Sequence, residues 1–186
     1  MMENNNVLLS SLLPGDSFKG KNGGEYILWF FGKNRNAAVL RKDLLPNDMR
    51  FGENNNFDGS IVETYLNSTY LREIEDEFGE DNIVEHDVDL WSLDGLRDYG
   101  VIKRKVSIPT IDLYRLHRDT FGQNKPRAFW LSTPNSTPSG YGAVGVRCVD
   151  RIGDVGYDWL RYGLAVLPFF ILKSSISVSL LHRFEE

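Results

Sequence analysis

The sequence predicts an α+β fold, with an antiparallel sheet, two main helices and a loop-rich carboxy-terminal half. Three observations support this class: an early hairpin-like pair of β-rich segments, two helix starts with capping residues, and a late stretch rich in Pro, Ser, Thr, Asn and Gly. The 186 residues are 41% hydrophobic and 25% charged, which suits one folded domain. We divide the chain into an N-terminal arm, 1–15, and a single domain, 16–186.

Strands are predicted where aromatic or β-branched residues lie between turn residues. Pro14-Gly15-Asp16 is a turn signal before the first strand region. Segments 25–31 and 37–40 flank the polar turn 34–36, so they predict a hairpin. Further strands are expected at 83–90, 101–108, 129–132, 144–152, 164–172 and 174–181, with a turn at 153–157.

Two helices are predicted from their capping residues. Ser60 and Glu63 have the spacing of a capping box, so a helix is expected from about residue 61 to 66. Ser68 is a second cap candidate, and an apolar stripe carries the helical pattern on to Gly79, a residue that favours helix ends. The first helical region therefore covers about 61–78. Thr110, after a proline, predicts the second helix at about 111–119.

Charge and cysteine content exclude several classes of protein. The net charge of −5 and the scattered basic residues make nucleic acid an unfavourable partner. We interpret the basic run 103–105 as a solvated sheet edge or turn. Cys148 is the only cysteine, so no intrachain disulfide forms, and its strand-like surroundings predict a small buried residue.

The ends of the chain bear on its location and partners. The polar start, 1–6, has no basic residues before a short apolar run, so it does not resemble a signal peptide, and we expect synthesis in the cytoplasm. The apolar run 164–172 is too short to span a membrane, so no membrane insertion is expected. Polar ends normally fray, and we expect a protein partner or a second copy of the chain to hold them.

Five segments in order resemble a bacterial and phage domain family of unknown function that is common in gut Firmicutes. Family members carry a Tyr-Leu-Asn helix motif, a Trp-Leu-Arg-Ser-Pro strand and a closing Gly-Val-Arg-Pro-Ala strand. The segments that carry the resemblance are Val39-Leu40-Arg41-Lys42-Asp43-Leu44-Leu45, Ser60-Ile61-Val62-Glu63-Thr64-Tyr65-Leu66-Asn67, Pro109-Thr110-Ile111-Asp112, Phe129-Trp130-Leu131-Ser132-Thr133-Pro134 and Gly163-Leu164-Ala165-Val166-Leu167-Pro168. The arginines of the two late family motifs are replaced here, by Ser132 and by Val166 or Leu167.

The resemblance implies a C-type-lectin-like fold, related to that of formylglycine-generating enzymes and of variable binding proteins. Such a domain is compact and mixed, with long loops in its carboxy-terminal half that serve display and recognition. The resemblance thus implies a binding function for the late loops.

The sequence offers weak support for metal binding or catalysis, and we predict no cofactor and no enzyme. A calcium-loop-like opening at 54–59 lacks the glutamate ligand that the motif needs, because Leu66 stands there. The three histidines are far apart in sequence. Asp87 and Asp89 share one strand face, which could hold a cation, although solvated carboxylates are the commoner meaning. No Gly-x-Ser-x-Gly or phosphate-loop motif is present.

A cluster of aromatic and charged residues in the late loops is the predicted binding site. Tyrosine and tryptophan give large contact areas at a small entropic cost, as in known binding surfaces. The predicted binding residues are Tyr141, Asp154, Tyr157, Asp158, Trp159, Arg161 and Tyr162. The alternative is that Trp159 and Tyr162 fill the core beneath the closing strands. Trp91 and Tyr99 form a second, weaker candidate patch.

These observations favour a non-enzymatic protein-binding module. Together with the family resemblance they suggest a structural or host-attachment component of a phage particle, whose partner is a phage structural protein or a host surface component. The alternative is an intracellular phage or bacterial effector that inhibits a host nucleic-acid-handling protein, with an acidic face that mimics nucleic acid. A homo-oligomer is compatible with either function.

Overall fold

The computed structural model describes residues 6–122 and 124–184, and shows a mixed, sheet-rich chain with antiparallel sheets. The expectation that a partner or a second copy holds the polar chain ends concerns residues that fall largely outside these ranges. The strands are β1 (Asn6–Leu8), β2 (Ser17–Lys19), β3 (Glu25–Phe31), β4 (Ala37–Arg41), β5 (Met49–Arg50), β6 (Ile83–Val84), β7 (His86–Asp89), β8 (Val101–Arg104), β9 (Val106–Ser107), β10 (Phe129–Pro134), β11 (Val146–Val149), β12 (Val155–Asp158), β13 (Gly163–Leu164), β14 (Phe169–Leu172) and β15 (Ser177–His182). The helices are α1 (Ile61–Tyr65), a π turn (Leu66–Tyr70), α2 (Leu71–Phe78) and α3 (Ile111–Leu116).

The main sheet brings the two ends of the described chain together. Its strands lie in the order β1-β15-β2-β3-β4-β14-β6, and β9 also pairs with β14. The last strand therefore lies between two of the first ones, and every pairing in the sheet is antiparallel. Part of the predicted N-terminal arm belongs to this sheet, since β1 pairs with β15 and both Leu9 and Leu12 are buried in the core.

The predicted hairpin is confirmed as β3 and β4. Tyr26 pairs with Arg41 and Phe31 with Ala37, and a bulge lies between Leu28 and Phe30. The turn between the strands holds Asn34 in the left-handed region, at φ 57°, where asparagine is tolerated better than most residues. Local turn chemistry thus sets this register.

The first helical region is one long helix across 61–78. Ser60 caps it, because its hydroxyl accepts a hydrogen bond from the Glu63 amide at 3.0 Å. Gly79 ends it at φ 85°. The prediction of a second cap at Ser68 is wrong, because Ser68 lies within the helix and its hydroxyl donates to the Thr64 carbonyl.

The second predicted helix is shorter than expected, and the fold has a single long helix. α3 ends at Leu116, and Asp119–Phe121 forms a separate 3-10 turn. His117 leaves the helical conformation, and its carbonyl accepts a hydrogen bond from the Trp29 indole at 2.9 Å. The contact with β3 therefore replaces the helical bond that would have extended α3.

The carboxy-terminal half contains a small sheet of order β10-β11-β12. The prediction of a turn at 153–157 is wrong, because residues 155–158 form strand β12. The turn falls earlier, where the Asp150 carboxylate accepts hydrogen bonds from the amides of Ile152 and Asp154, both at 2.9 Å. The closing run 164–172 is likewise divided, since β13 pairs with β5 whereas β14 joins the main sheet.

The main sheet is buried on both faces. In β14, Phe170 packs into one hydrophobic cluster with the long helix, and its neighbour Phe169 packs into a second cluster with α3. β10 divides in the same way, with Trp130 in the first cluster and Leu131 in the second. Double burial explains why β14 is continuously apolar. None of the described helices combines the length and apolar character needed to cross a membrane.

Candidate functional site

Six of the seven predicted binding residues lie on or beside strand β12, the edge of the small sheet. Asp154 precedes the strand, Tyr157 and Asp158 lie within it, and the remaining three follow it in a turn closed by the Tyr162 amide and the Trp159 carbonyl. The exposed fractions are 56% for Tyr157, 48% for Trp159 and 47% for Tyr162. The alternative that Trp159 and Tyr162 fill the core is therefore wrong.

The charged neighbours of these rings are held in place by local contacts. Arg161 lies near both adjacent rings, with its guanidinium carbon 5.9 Å from the centre of Trp159 and 5.2 Å from that of Tyr162. The Asp158 carboxylate accepts a hydrogen bond from the Trp159 amide at 2.8 Å. Asp154 is exposed at the sheet end. The result is a mixed-charge surface around three aromatic rings, which we call the β12 surface (154–162).

Tyr157 is positioned by the strand next to it. It pairs in register with Arg147 on β11, whose guanidinium lies 6.0 Å from the ring centre. A methyl group at Gly145 would approach the ring to 3.0 Å, so the absence of a side chain there leaves room for it. Gly145 also has φ 78°, which disfavours other residues.

The seventh residue, Tyr141, projects from a separate loop, 135–145. Its side chain is 94% exposed, whereas its amide donates to the Ser136 hydroxyl at 2.8 Å. Ser136 in turn donates to the Asp94 carboxylate at 2.8 Å, and the Ser92 hydroxyl donates to the same carboxylate. The hydrogen bond from Ser92, and to a smaller extent that from Ser136, hold the pKa of Asp94 below its usual range. The backbone under the exposed ring is thus fixed by hydrogen bonds.

Asn55 joins the loops beneath the surface and was missed by sequence reasoning. It is fully buried, and its amide donates to the carbonyls of Ser136 at 2.6 Å and Gly145 at 3.0 Å. The Tyr99 hydroxyl donates to the Asn55 oxygen at 2.7 Å. The segment 47–59 is polar and rich in asparagine, which predicts a solvated loop. Nothing in its local sequence distinguishes Asn55, which is buried, from the other asparagines.

The Tyr141 loop and the β12 surface are joined at Gly145. Gly145 ends the loop, accepts a hydrogen bond from the Asn135 amide at 3.2 Å, and lies under the Tyr157 ring. No ring of the predicted set stacks on another in the part of the chain that the structure describes. The structure therefore brings the six residues together and leaves Tyr141 as a neighbouring projection.

The second candidate patch is divided. Tyr99 points inward to Asn55, but Trp91 is 36% exposed and carries the Arg97 guanidinium on its face, 3.1 Å from the ring centre. Trp91 lines a cavity of about 260 Å³ whose apolar walls include Val88 and Phe169. The other lining residues include Asp87, Asp89, Asp112, Ser107, Thr110 and Thr133. Asp87 and Asp89, which share one face of a strand, thus lie beside this cavity.

The described residues contain no cluster of three His, Cys, Asp or Glu side chains that could hold a metal ion. His86 lies against the Ser107 hydroxyl at 2.9 Å, and His117 stacks on Phe30 with ring centres 4.0 Å apart.

Burial raises the pKa of the Cys148 thiol to about 11, so the thiol stays protonated near neutral pH. A cysteine in this state is a poor nucleophile.

The basic run 103–105 lies on a sheet edge as predicted, since β8 belongs to a two-stranded sheet, but two of its residues also form ion pairs. Arg104 forms ion pairs with Asp58 and Glu63. Lys105 pairs with Glu75 at 3.0 Å on the long helix. The run therefore ties strand β8 to the helix and to the loop before it.

Comparison with family models, with curated proteins and with solved structures found no match for the chain.

Proposed function

We propose that the chain is a non-enzymatic protein-binding module of C-type-lectin-like architecture, and that it serves as a structural or host-attachment component of a phage particle. The observation that carries the proposal is the β12 surface, where three large aromatic rings and an arginine are exposed together on a sheet edge. Rings of this size are enriched at the centres of protein interfaces.

The pre-ordered backbone under the surface supports binding without a large entropic cost. Tyr157 is held between Gly145 and Arg147, and the Asp150 turn closes the hairpin that carries it. A surface that is already ordered loses little freedom on association, which favours affinity. The exposed outer edge of β12 also leaves backbone groups for a partner strand.

The proposed architecture rests on the sequence resemblance and on two features of the chain. The first and last strands are neighbours in the main sheet, and a loop-rich half is mounted on a separate small sheet. This arrangement holds the first and last strands on one sheet and presents the late loops on another.

The proposal is tested with purified particles of the phage that encodes the chain and with envelopes of its host cells. We expect the purified chain to sediment with one of the two, and the variant Y157A/W159A/Y162A to bind at least tenfold more weakly. W91A is the matched control, because it removes an exposed tryptophan outside the β12 surface. Absence of the chain from both fractions, or equal binding by the triple variant, would overturn the proposal.

A further inference from the structure

Lys125 is a buried lysine beside a cavity that is remote in sequence from the β12 surface. It follows the 3-10 turn Asp119–Phe121, and the residue is only 7% exposed. The ammonium donates to the Lys42 carbonyl at 2.7 Å and lies 5.3 Å from the centre of the Phe121 ring. No carboxylate of the described chain lies within ion-pair distance of it.

A buried ammonium with one acceptor has two unused donors. Lysine carries three N–H donors and no acceptor, and among the residues that the structure describes only the Lys42 carbonyl accepts from it. Burial lowers the pKa of Lys125 to about 8, which reflects the cost of keeping the charge out of water. An acceptor with negative charge would both fill the donors and offset that cost.

The cavity next to Lys125 has a volume of about 510 Å³ and contains further donors. Ser17, Asn124 and Lys42 line it together with one carboxylate, Asp43, and His182 lies at its wall, paired in register with Ser17. Ser17 is itself only 7% exposed. Polar groups that converge on a half-open cleft beside a buried cation are the usual features of a small anion site.

The charges around the cavity favour an anion. The negative charge of Asp43 raises the pKa of Lys125, whereas the positive charges of Lys42 and Arg118 lower it. The Lys42 ammonium is already paired with Glu25 at 2.7 Å, so Glu25 is not free to serve Lys125. Three cations, Lys125, Lys42 and Arg118, thus stand against two carboxylates, Asp43 and Glu25, which leaves an excess of positive charge around the cavity.

We propose that this cavity binds a small oxyanion, a carboxylate or a phosphate, with the Lys125 ammonium as its central donor and Ser17 and Asn124 as further ligands. The site shares no lining residue with the β12 surface. It gives the chain a small-molecule ligand in addition to a protein partner.

The site has a distinctive dependence on pH. The anion binds the protonated form of Lys125, so binding weakens as pH rises above the pKa of about 8. The groups that face Lys125 are Lys42, Asp43 and Arg118, with His182 at the cavity wall. Loss of affinity on the alkaline side therefore reports the deprotonation of Lys125.

The test is an NMR titration of the isotopically labelled chain, first with inorganic phosphate and separately with acetate. Chloride keeps the ionic strength constant. We expect saturable shifts of the Ser17, Gly122 and Asn124 amide signals with at least one anion, and affinity lower by tenfold or more in K125M. K173M, which removes an exposed lysine, is the matched control and should bind like the wild type. Response to acetate alone identifies a carboxylate site, and response to phosphate alone identifies a phosphate site.

Two results would overturn the proposal: absence of saturable shifts with either anion, or shifts that persist unchanged in K125M. K125M is close in size to the wild type and removes a buried charge, so we expect it to fold. If it does not, the alkaline loss of affinity in the wild-type chain remains a direct test, and affinity that is constant through pH about 8 contradicts the role of Lys125.

Discussion

The four tryptophans occupy two opposite environments. Trp29 and Trp130 are completely buried, and the indole of Trp130 donates to the Met49 carbonyl at 2.8 Å. Trp91 and Trp159 are exposed at two separate surfaces. A buried tryptophan stabilises the fold through its apolar area and its satisfied N–H, whereas an exposed one has area available for a partner.

The tryptophan pair gives a direct prediction of stability. We expect Trp130→Ala to lower the free energy of unfolding by about 3–5 kcal/mol, because it leaves a large cavity and an unpaired carbonyl. Trp159→Ala should change it by less than about 0.5 kcal/mol. Urea unfolding followed by circular dichroism measures both, and similar losses in the two variants would show that Trp159 supports the core.

His86 predicts how stability depends on pH. Burial lowers the pKa of this imidazole to about 4, whereas in an unfolded chain it titrates near about 6.5. The unfolded state therefore binds more protons between these values, and stability decreases as pH falls through this window. We expect His86 to account for about 2 kcal/mol of the stability lost between about pH 7.5 and about pH 5.

The matched variant for this prediction is His86→Gln, which stays neutral across the range. Unfolding free energies of both proteins at the two pH values isolate the histidine, since other titrating groups are common to both. If the wild type and the variant lose equal stability on acidification, the burial of His86 does not control this dependence.

At the scale of elements, one side chain of the long helix pairs directly with a strand of the main sheet. Asn67, in the π turn, donates to the Val106 carbonyl at 2.9 Å and accepts from the Val106 amide at 3.1 Å. It thereby pairs with β9 as a neighbouring strand would. The sequence places Asn67 on the helix through capping and periodicity, but its partner is 39 residues away.

Asn67→Ala should lower the free energy of unfolding by about 2–3 kcal/mol, because both backbone groups of Val106 lose their partner. Ser68→Ala is a control at the next residue, where an exposed hydroxyl bonds only within the helix, and we expect a change of less than about 0.5 kcal/mol. Chemical denaturation of the two variants provides the comparison. A negligible effect at Asn67 would mean that water replaces the amide at β9.

Elements were predictable to different degrees for a physical reason. The β3–β4 hairpin and the start of the long helix follow from turn and cap residues within a few positions. α3 was predicted too long because its end depends on Trp29, which lies 88 residues away from His117. Local chemistry determines where elements begin, and tertiary contacts determine where some of them stop.

At the scale of the whole molecule, Asp16 holds both ends of the domain. The carboxylate is fully buried and accepts hydrogen bonds from the Leu13 amide at 2.9 Å, the Phe184 amide at 2.8 Å and the Arg183 guanidinium at 2.7 Å. These contacts connect the turn before β2 to the residues after β15. The sheet is therefore completed only once the carboxy-terminal strand is in place.

Removing this carboxylate should loosen both ends together. For Asp16→Ala we expect the free energy of unfolding to drop by about 2–4 kcal/mol, since several hydrogen bonds to a buried charge are lost. Hydrogen exchange should increase at the amides of Leu13 and Phe184 at the same time. Asp154→Ala removes an exposed carboxylate and should change neither the free energy of unfolding nor the exchange of these amides. Unchanged exchange in Asp16→Ala would show that Asp16 does not hold the two ends together.

The sequence by itself determined the turn and cap chemistry, the alternation of the strands and the aromatic content of the late loops, because these depend on residues a few positions apart. Only the tertiary structure decided that Trp159 is exposed while Asn55 and Lys125 are buried, since burial depends on segments distant in the chain. Asn55 meets a carbonyl 90 residues later, and Asp16 meets an amide 168 residues later. Such contacts form only when the whole chain has folded, so no local pattern encodes them.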